Sequence, residues 1–87
     1  MTPRAKMMNE IKQFLGPQSF VRTSEDFGVG LDGIWLTNEC LYRVLDGLPI
    51  YDHDFGTGVN PKFEAFIAER GWTLENYDQG TVLLWPA

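Results

Sequence analysis

Near the start of the chain, apolar residues recur at the spacing of one helical face. Placed at about 100° intervals, these side chains fall within an arc of about 120°. They are Met7, Met8, Ile11, Phe14 and Leu15. Thr2 suits an N-cap and Pro3 the first helical position, while Gly16 begins a stop signal. The pattern predicts an amphipathic helix over residues 3–15 with one face in the core.

A second amphipathic helix is predicted over residues 61–70. Asn60 suits its N-cap, Pro61 its first position, and Gly71 its end. Its apolar residues share an arc of about 100°. They are Phe63, Phe66 and Ile67. This helix is expected to pack on a sheet.

The remaining apolar segments predict strands. Residues 18–23 and 33–36 suit two short strands, and residues 72–77 with 81–85 suit a C-terminal β-hairpin, whose loop places Gly80 at a left-handed position. In the run from Val82 to Trp85, apolar residues do not alternate with polar ones. Its strand should therefore be covered on both faces or partly exposed at an interface, where self-assembly of a structural subunit is one hypothesis.

Residues 38–51 allow two interpretations. Asp46-Gly47 is a type I′ turn signal that predicts a hairpin, which we prefer, whereas Asn38 would cap a short helix ending at Gly47. Pro49 lacks a backbone donor, so its strand should lie at a sheet edge.

The order of elements predicts a single compact α+β domain over residues 1–87. Two helices pack on one face of an antiparallel or mixed sheet of about four or five strands, which ends in the C-terminal β-hairpin.

Charge narrows the range of partners. The net charge is −5, and residues 23–58 contain seven acidic side chains and one basic one. Such a segment repels a phosphate backbone, so we expect no direct nucleic-acid binding. No apolar run is long enough to span a membrane. Cys40 is the only cysteine, which excludes an intrachain disulfide and favours a reducing, cytoplasmic location.

Two glycine motifs resemble nucleotide-binding signatures. Gly28, Gly30 and Gly33 match G-x-G-x-x-G, and Asp54-Phe55-Gly56 matches a kinase metal-binding triplet. A strand rather than a helix is predicted after Gly33, and the kinase catalytic loop and lysine motif are missing. We interpret the glycines as turn positions that need positive φ.

The segment Asp52-His53-Asp54 is the densest group of metal-ligand types. One imidazole and two carboxylates would suit a divalent ion, and a small metal-assisted enzyme or metal-binding protein is the alternative function. On an extended strand, however, only Asp52 and Asp54 would converge, so a solvated polar loop is the preferred interpretation. We assign no cofactor or metal.

No catalytic set is evident, which makes an enzyme the less favoured class. His53 has no nucleophile at a local spacing, although Cys40, Ser19 and Ser24 are of the right type. Cys40 is better explained as a small buried hydrophobe.

The sequence therefore predicts a small acidic protein-binding module. It would act as an inhibitor, immunity factor or regulatory adaptor on a partner protein with a basic surface, such as a nucleic-acid-binding protein. Tryptophan is frequent at binding hot spots. The predicted binding residues are Glu25, Asp26, Asp32, Glu39, Asp46, Asp52, Asp54, Trp35 and Trp85.

Overall fold

A computed structural model shows an α+β chain, as predicted, and describes residues 1–16, 21–37, 44–45, 48–50, 58–78 and 81–87. The helices are α1 at Arg4–Leu15, α2 at Ser24–Phe27 and α3 at Pro61–Glu69. The strands are β1 at Val21–Thr23, β2 at Ile34–Leu36, β3 at Val44–Leu45, β4 at Leu48–Pro49, β5 at Trp72–Asp78 and β6 at Thr81–Pro86.

Four strands form an antiparallel sheet in the order β1-β2-β6-β5. The pairing of β5 with β6 is that of the expected C-terminal hairpin, although residues 79–80, with Gly80, lie outside the described part of the chain. β3 and β4 form a separate pair, with Val44 opposite Pro49. This pairing agrees with the preferred hairpin over residues 38–51, whose turn residues and whose Asn38 are not described.

One face of the four-stranded sheet packs against α1 and α3. Alternation along β2 and β6 turns Ile34, Leu36, Val82 and Leu84 to this face. They join the buried residues of both helices in one cluster, which we call the inner layer. Its members are Met7, Ile11, Val21, Ile34, Leu36, Ile50, Val59, Phe63, Ile67, Trp72, Val82 and Leu84.

Of the two N-caps predicted from the sequence, that of α3 is correct and that of α1 is wrong. Asn60 caps α3 as predicted, because its Oδ1 accepts the Lys62 N–H at 2.9 Å. The prediction that Thr2 caps α1 is wrong, since the cap position is Pro3. Thr2 instead donates its N–H to the Arg70 carbonyl at 2.9 Å, and its own carbonyl accepts the Trp72 indole N–H at 2.7 Å. Thr2 therefore joins the start of the chain to the end of α3.

Phe66 is only partly buried, so its placement in the core is correct only in part. Its ring stacks on Phe14 at 4.1 Å, and the Arg70 guanidinium lies 3.6 Å from its centroid. Arg70 also forms a 2.9 Å ion pair with Glu10. This cluster joins α1 to α3 beside the inner layer.

β6 lies between β2 and β5, so both of its edges are paired. Val82, Leu83 and Leu84 are all 0% exposed, as predicted for a strand covered on both faces. Burial within the chain accounts for the apolar run without a second copy. Self-assembly through this strand stays a prediction that gains no support from the packing.

Candidate protein-binding surface

The other face of the sheet carries most of the aromatic side chains that the structure describes outside the inner layer. Strand register aligns Trp35 with Leu83, and Leu83 with Glu75, across this face. Trp85 pairs with Thr73 in the neighbouring row. We call this surface, together with Phe27 of α2, the outer face. Its members are Arg22, Phe27, Trp35, Thr73, Glu75, Tyr77, Leu83 and Trp85.

The short helix α2 brings Phe27 onto the outer face. Thr23 caps it by accepting the Asp26 N–H at 3.3 Å, and Gly28 ends it in a left-handed conformation with φ 85°. The Phe27 ring lies 4.9 Å from Trp35 and meets Tyr77 edge-on at 5.2 Å. Residues from three separate segments thus form one aromatic group.

The glycine motif serves the packing of Trp85. A Cβ on Gly33 would lie 2.5 Å from the Trp85 ring, and one on Gly30 would lie 3.0 Å from it. Neither has a positive φ, so the explanation from turn geometry is correct for Gly28 and wrong for these two. Gly33 leads directly into β2, unlike the helix start of a dinucleotide-binding loop. The spacing therefore reflects close approach of an indole to the backbone.

Ser24 and Glu25 hold this loop in place. The buried Ser24 hydroxyl accepts the Gly33 N–H and donates to the Gly30 carbonyl, both at 2.9 Å. It is therefore a structural group and not an available nucleophile. The Glu25 carboxylate pairs with Arg4 at 2.6 Å and accepts the Asp32 N–H at 3.3 Å. The loop is thereby tied to α1.

The pKa of Glu25 is lowered from 4.5 to about 2. A hydrogen bond from its own backbone N–H is the largest cause, followed by the Arg4 side chain. Desolvation opposes these effects more weakly. Glu25 is therefore ionised at neutral pH, and much of its hydrogen-bonding capacity is used within the fold.

The other predicted acidic residues differ in how far the structure describes them. Asp26 and Asp32 are exposed, and within the described residues their carboxylates have no hydrogen-bond or ion-pair partner. Glu39, Asp46, Asp52 and Asp54 lie outside the described residues. Glu75, which the sequence did not single out, is exposed and accepts the Trp85 indole N–H at 2.8 Å.

The three indole N–H groups have different environments. Trp72 and Trp85 both donate to protein acceptors, the Thr2 carbonyl at 2.7 Å and the Glu75 carboxylate at 2.8 Å. The Trp35 Nε1 is buried and, among the residues that the structure describes, has no hydrogen-bond partner. Trp35 and Trp85, both predicted binding residues, do lie together on the outer face.

On the outer face, the side chain next to the sheet is buried, whereas rings further from the sheet are exposed. Leu83 is 0% exposed, whereas Tyr77 is 49% exposed. In the loop beside Gly30, Leu31 is 75% exposed and Val29 is 39% exposed. Sequence reasoning missed these three exposed residues. The alternation of Thr73 and Glu75 along β5 was the available signal for this face, but the pairing of β5 with β6 is irregular between Asn76 and Asp78, so alternation alone does not place Tyr77.

Other kinds of site find no support in the described part of the chain. It contains no group of three or more His, Cys, Asp or Glu side chains that could hold a metal ion. Asp52-His53-Asp54, Cys40 and Ser19 lie outside it, so the metal hypothesis stays a prediction. None of its helices has the length and apolar character needed to cross a membrane.

Comparison of the chain with protein-family models, curated proteins and solved structures gives no match. The function is therefore argued from the geometry of the outer face.

Proposed function

We propose that this chain is a protein-binding module that docks on its partner through the outer face. The observation that carries the proposal is the exposure of Tyr77 on the outer face and of Val29 and Leu31 in the loop that packs on Trp85, together with the exposed carboxylates of Asp26 on α2 and Glu75 on β5. Interfaces combine aromatic anchors with a polar rim in this way. The module would act as an inhibitor, immunity factor or regulatory adaptor.

The charge of the chain supports a partner with a basic surface. The net charge is −5, and Asp26 and Asp32 carry carboxylates without a described partner. Such charges raise the rate of encounter with a positive surface more than they raise affinity. A partner that contacted the Glu25 carboxylate directly would have to compete with Arg4. Glu25 would therefore attract a basic partner only through long-range electrostatics.

Comparative capture from the native host tests the proposal. The immobilised chain and its Leu31→Ser variant are exposed to the same extract, with Ala65→Ser as the control. Ala65 is an exposed residue of α3, the helix that packs on the inner layer. We expect a protein that wild type and Ala65→Ser retain and Leu31→Ser loses. Equal capture of every protein by all three chains, or capture of none, would overturn the proposal.

A further inference from the structure

We propose that β5 binds an extended segment of a partner protein, which adds to the sheet as an antiparallel strand and fills the groove between β5 and α3. The binding surface is the side of β5 that faces away from β6, which we call the β5 edge. This inference goes beyond the proposed function, because the β5 edge is a different surface from the outer face.

The backbone of Leu74 directs its hydrogen-bonding groups to the β5 edge. In an antiparallel pair, opposite residues exchange either both bonds or none, and the two kinds alternate. Ala87 continues the register opposite Gly71 and donates its N–H to the Gly71 carbonyl at 3.0 Å. Thr73 and Glu75 are therefore the residues that bond to β6, and Leu74 between them points away from it. Its N–H and carbonyl have no hydrogen-bond partner in the described part of the chain.

A groove of about 330 Å³ lies beside the β5 edge, between β5 and α3. The described residues that line it include Ile67 and Ala68 of α3 and Trp72, Thr73 and Leu74 of β5. Thr73 turns its side chain to the outer face, so the groove extends across the backbone of the edge. The volume is space that the chain leaves open, and it lies within the range of ligand sites, about 300–1,000 Å³.

The two edges of the sheet are protected to different degrees. β1 is three residues long with Arg22 at its centre, and short, charged strands are a common protection of sheet edges. β5 is seven residues long, contains neither proline nor lysine, and pairs regularly with β6 as far as Asn76. Trp72 is 3% exposed, so the accessible part of the edge begins at Leu74. A long edge without such protection is a template for another strand.

An extended segment fits this surface better than the alternatives. Strand addition supplies backbone partners for Leu74, and alternate side chains of the added strand enter the groove. A compact apolar ligand would cover Leu74 and leave its backbone groups without partners, which is costly. A second copy of the chain would carry the same net charge of −5 and be repelled. We therefore expect a partner segment with apolar residues at alternate positions and basic residues beside them.

A designed peptide and two N-methylated forms of it test the inference. The peptide is capped Lys-Val-Thr-Val-Thr-Val-Lys, titrated to millimolar concentration into the ¹⁵N-labelled chain. Opposite residues of an antiparallel pair face the same side, so the valines that enter the groove also point their N–H groups at β5. We expect the peptide to shift the amide signals of Leu74 and Ala68 and to slow hydrogen exchange of the Leu74 amide.

The site of N-methylation separates strand addition from other modes of binding. A methyl group on the central valine nitrogen removes a bond to Leu74 and should weaken binding about tenfold. The same group on a threonine nitrogen points away from β5 and should change the affinity less than about twofold.

Two variants test the same bond from the side of the chain. Leu74→Pro removes the backbone donor at a position where an edge strand tolerates proline, and Leu74→Ala keeps the donor but shortens the side chain. We expect Leu74→Pro to lose the peptide and Leu74→Ala to retain it. The methylated peptides measure the bond on the wild-type chain if Leu74→Pro does not fold.

No binding of the parent peptide, or equal affinity of the two methylated forms, would overturn the inference. A folded Leu74→Pro variant that binds as Leu74→Ala does would also overturn it. So would a dimer of the chain with a protected Leu74 amide, because the edge would then join two copies. Leu31→Ser should bind the peptide as wild type does, and loss of the peptide there would place it on the outer face. Capture tests the outer face separately, so either proposal can fail without the other.

Discussion

The two faces of the sheet are covered in different ways. The inner layer packs two helices of 12 and 9 residues over mainly aliphatic side chains, almost all of them fully buried. The outer face is covered by a four-residue helix, a glycine-containing loop and aromatic rings. Only Leu83 of its large side chains is 0% exposed. Both faces bury apolar groups, and the outer face also exposes Tyr77, which is 49% exposed against 36% for Phe14 of α1 at the margin of the inner layer.

This difference indicates a division of roles between folding and binding. Because the chain itself buries the inner layer, that layer leaves almost no apolar surface for a partner to cover. An aromatic layer with a buried base and exposed rings can stabilise the chain and also offer a contact surface. Monomeric proteins rarely expose contiguous apolar groups without such a use.

The largest effects are expected from two consecutive leucines that face opposite ways. Leu84→Ala removes an inner-layer side chain and should lower the free energy of unfolding by about 3–5 kcal/mol. Leu83→Ala should cost about 2–3 kcal/mol, because half-exposed rings can relax into the space left behind. Denaturant unfolding measures both. A loss below about 0.5 kcal/mol for Leu83→Ala would show that the aromatic layer does not pack on the sheet.

A smaller effect is expected at Gly33. Its Cβ would lie 2.5 Å from the Trp85 ring, so Gly33→Ala should destabilise the chain by about 1–3 kcal/mol. Gly30→Ala should cost less, because its nearest contact is 3.0 Å. In a Trp85→Leu background the Gly33→Ala penalty should shrink. A penalty of the same size there would mean that the indole is not what requires glycine.

The weakest effect is a dependence of stability on pH. The pKa of Glu25 is about 2 in the folded chain and 4.5 ordinarily, so its contribution is complete above pH 4.5 and declines as the pH falls towards 2. Thermal melting at several pH values should show a flatter profile in this window for Glu25→Gln than for Glu69→Gln. Identical profiles would mean that the Arg4–Glu25 pair does not support the loop under the outer face.

The inner layer could be predicted from the sequence because its signals are local. Met7 and Ile11 repeat at helical spacing, and Asn60-Pro61 marks the start of a helix. A helix as short as α2 contains too few residues to show a period, so Phe27 gave no such signal.

The outer face depends on contacts between segments far apart in the chain. Phe27 meets Tyr77 across 50 positions, and Gly33 is needed because of Trp85. The glycine spacing was visible in the sequence, but its cause was not. The tryptophan pair was predicted as a binding element, whereas the exposed neighbours that complete the surface required the fold.

The dissociation rate of a captured partner tests most directly whether the outer face is the binding surface. Surface plasmon resonance compares wild type with Tyr77→Leu and with Phe14→Leu, an exposed aromatic of α1 as a matched control. We predict that Tyr77→Leu raises the off-rate about 30-fold, equivalent to about 2 kcal/mol, while Phe14→Leu leaves it unchanged. A wild-type off-rate in Tyr77→Leu, or an equal increase in both variants, would contradict the account.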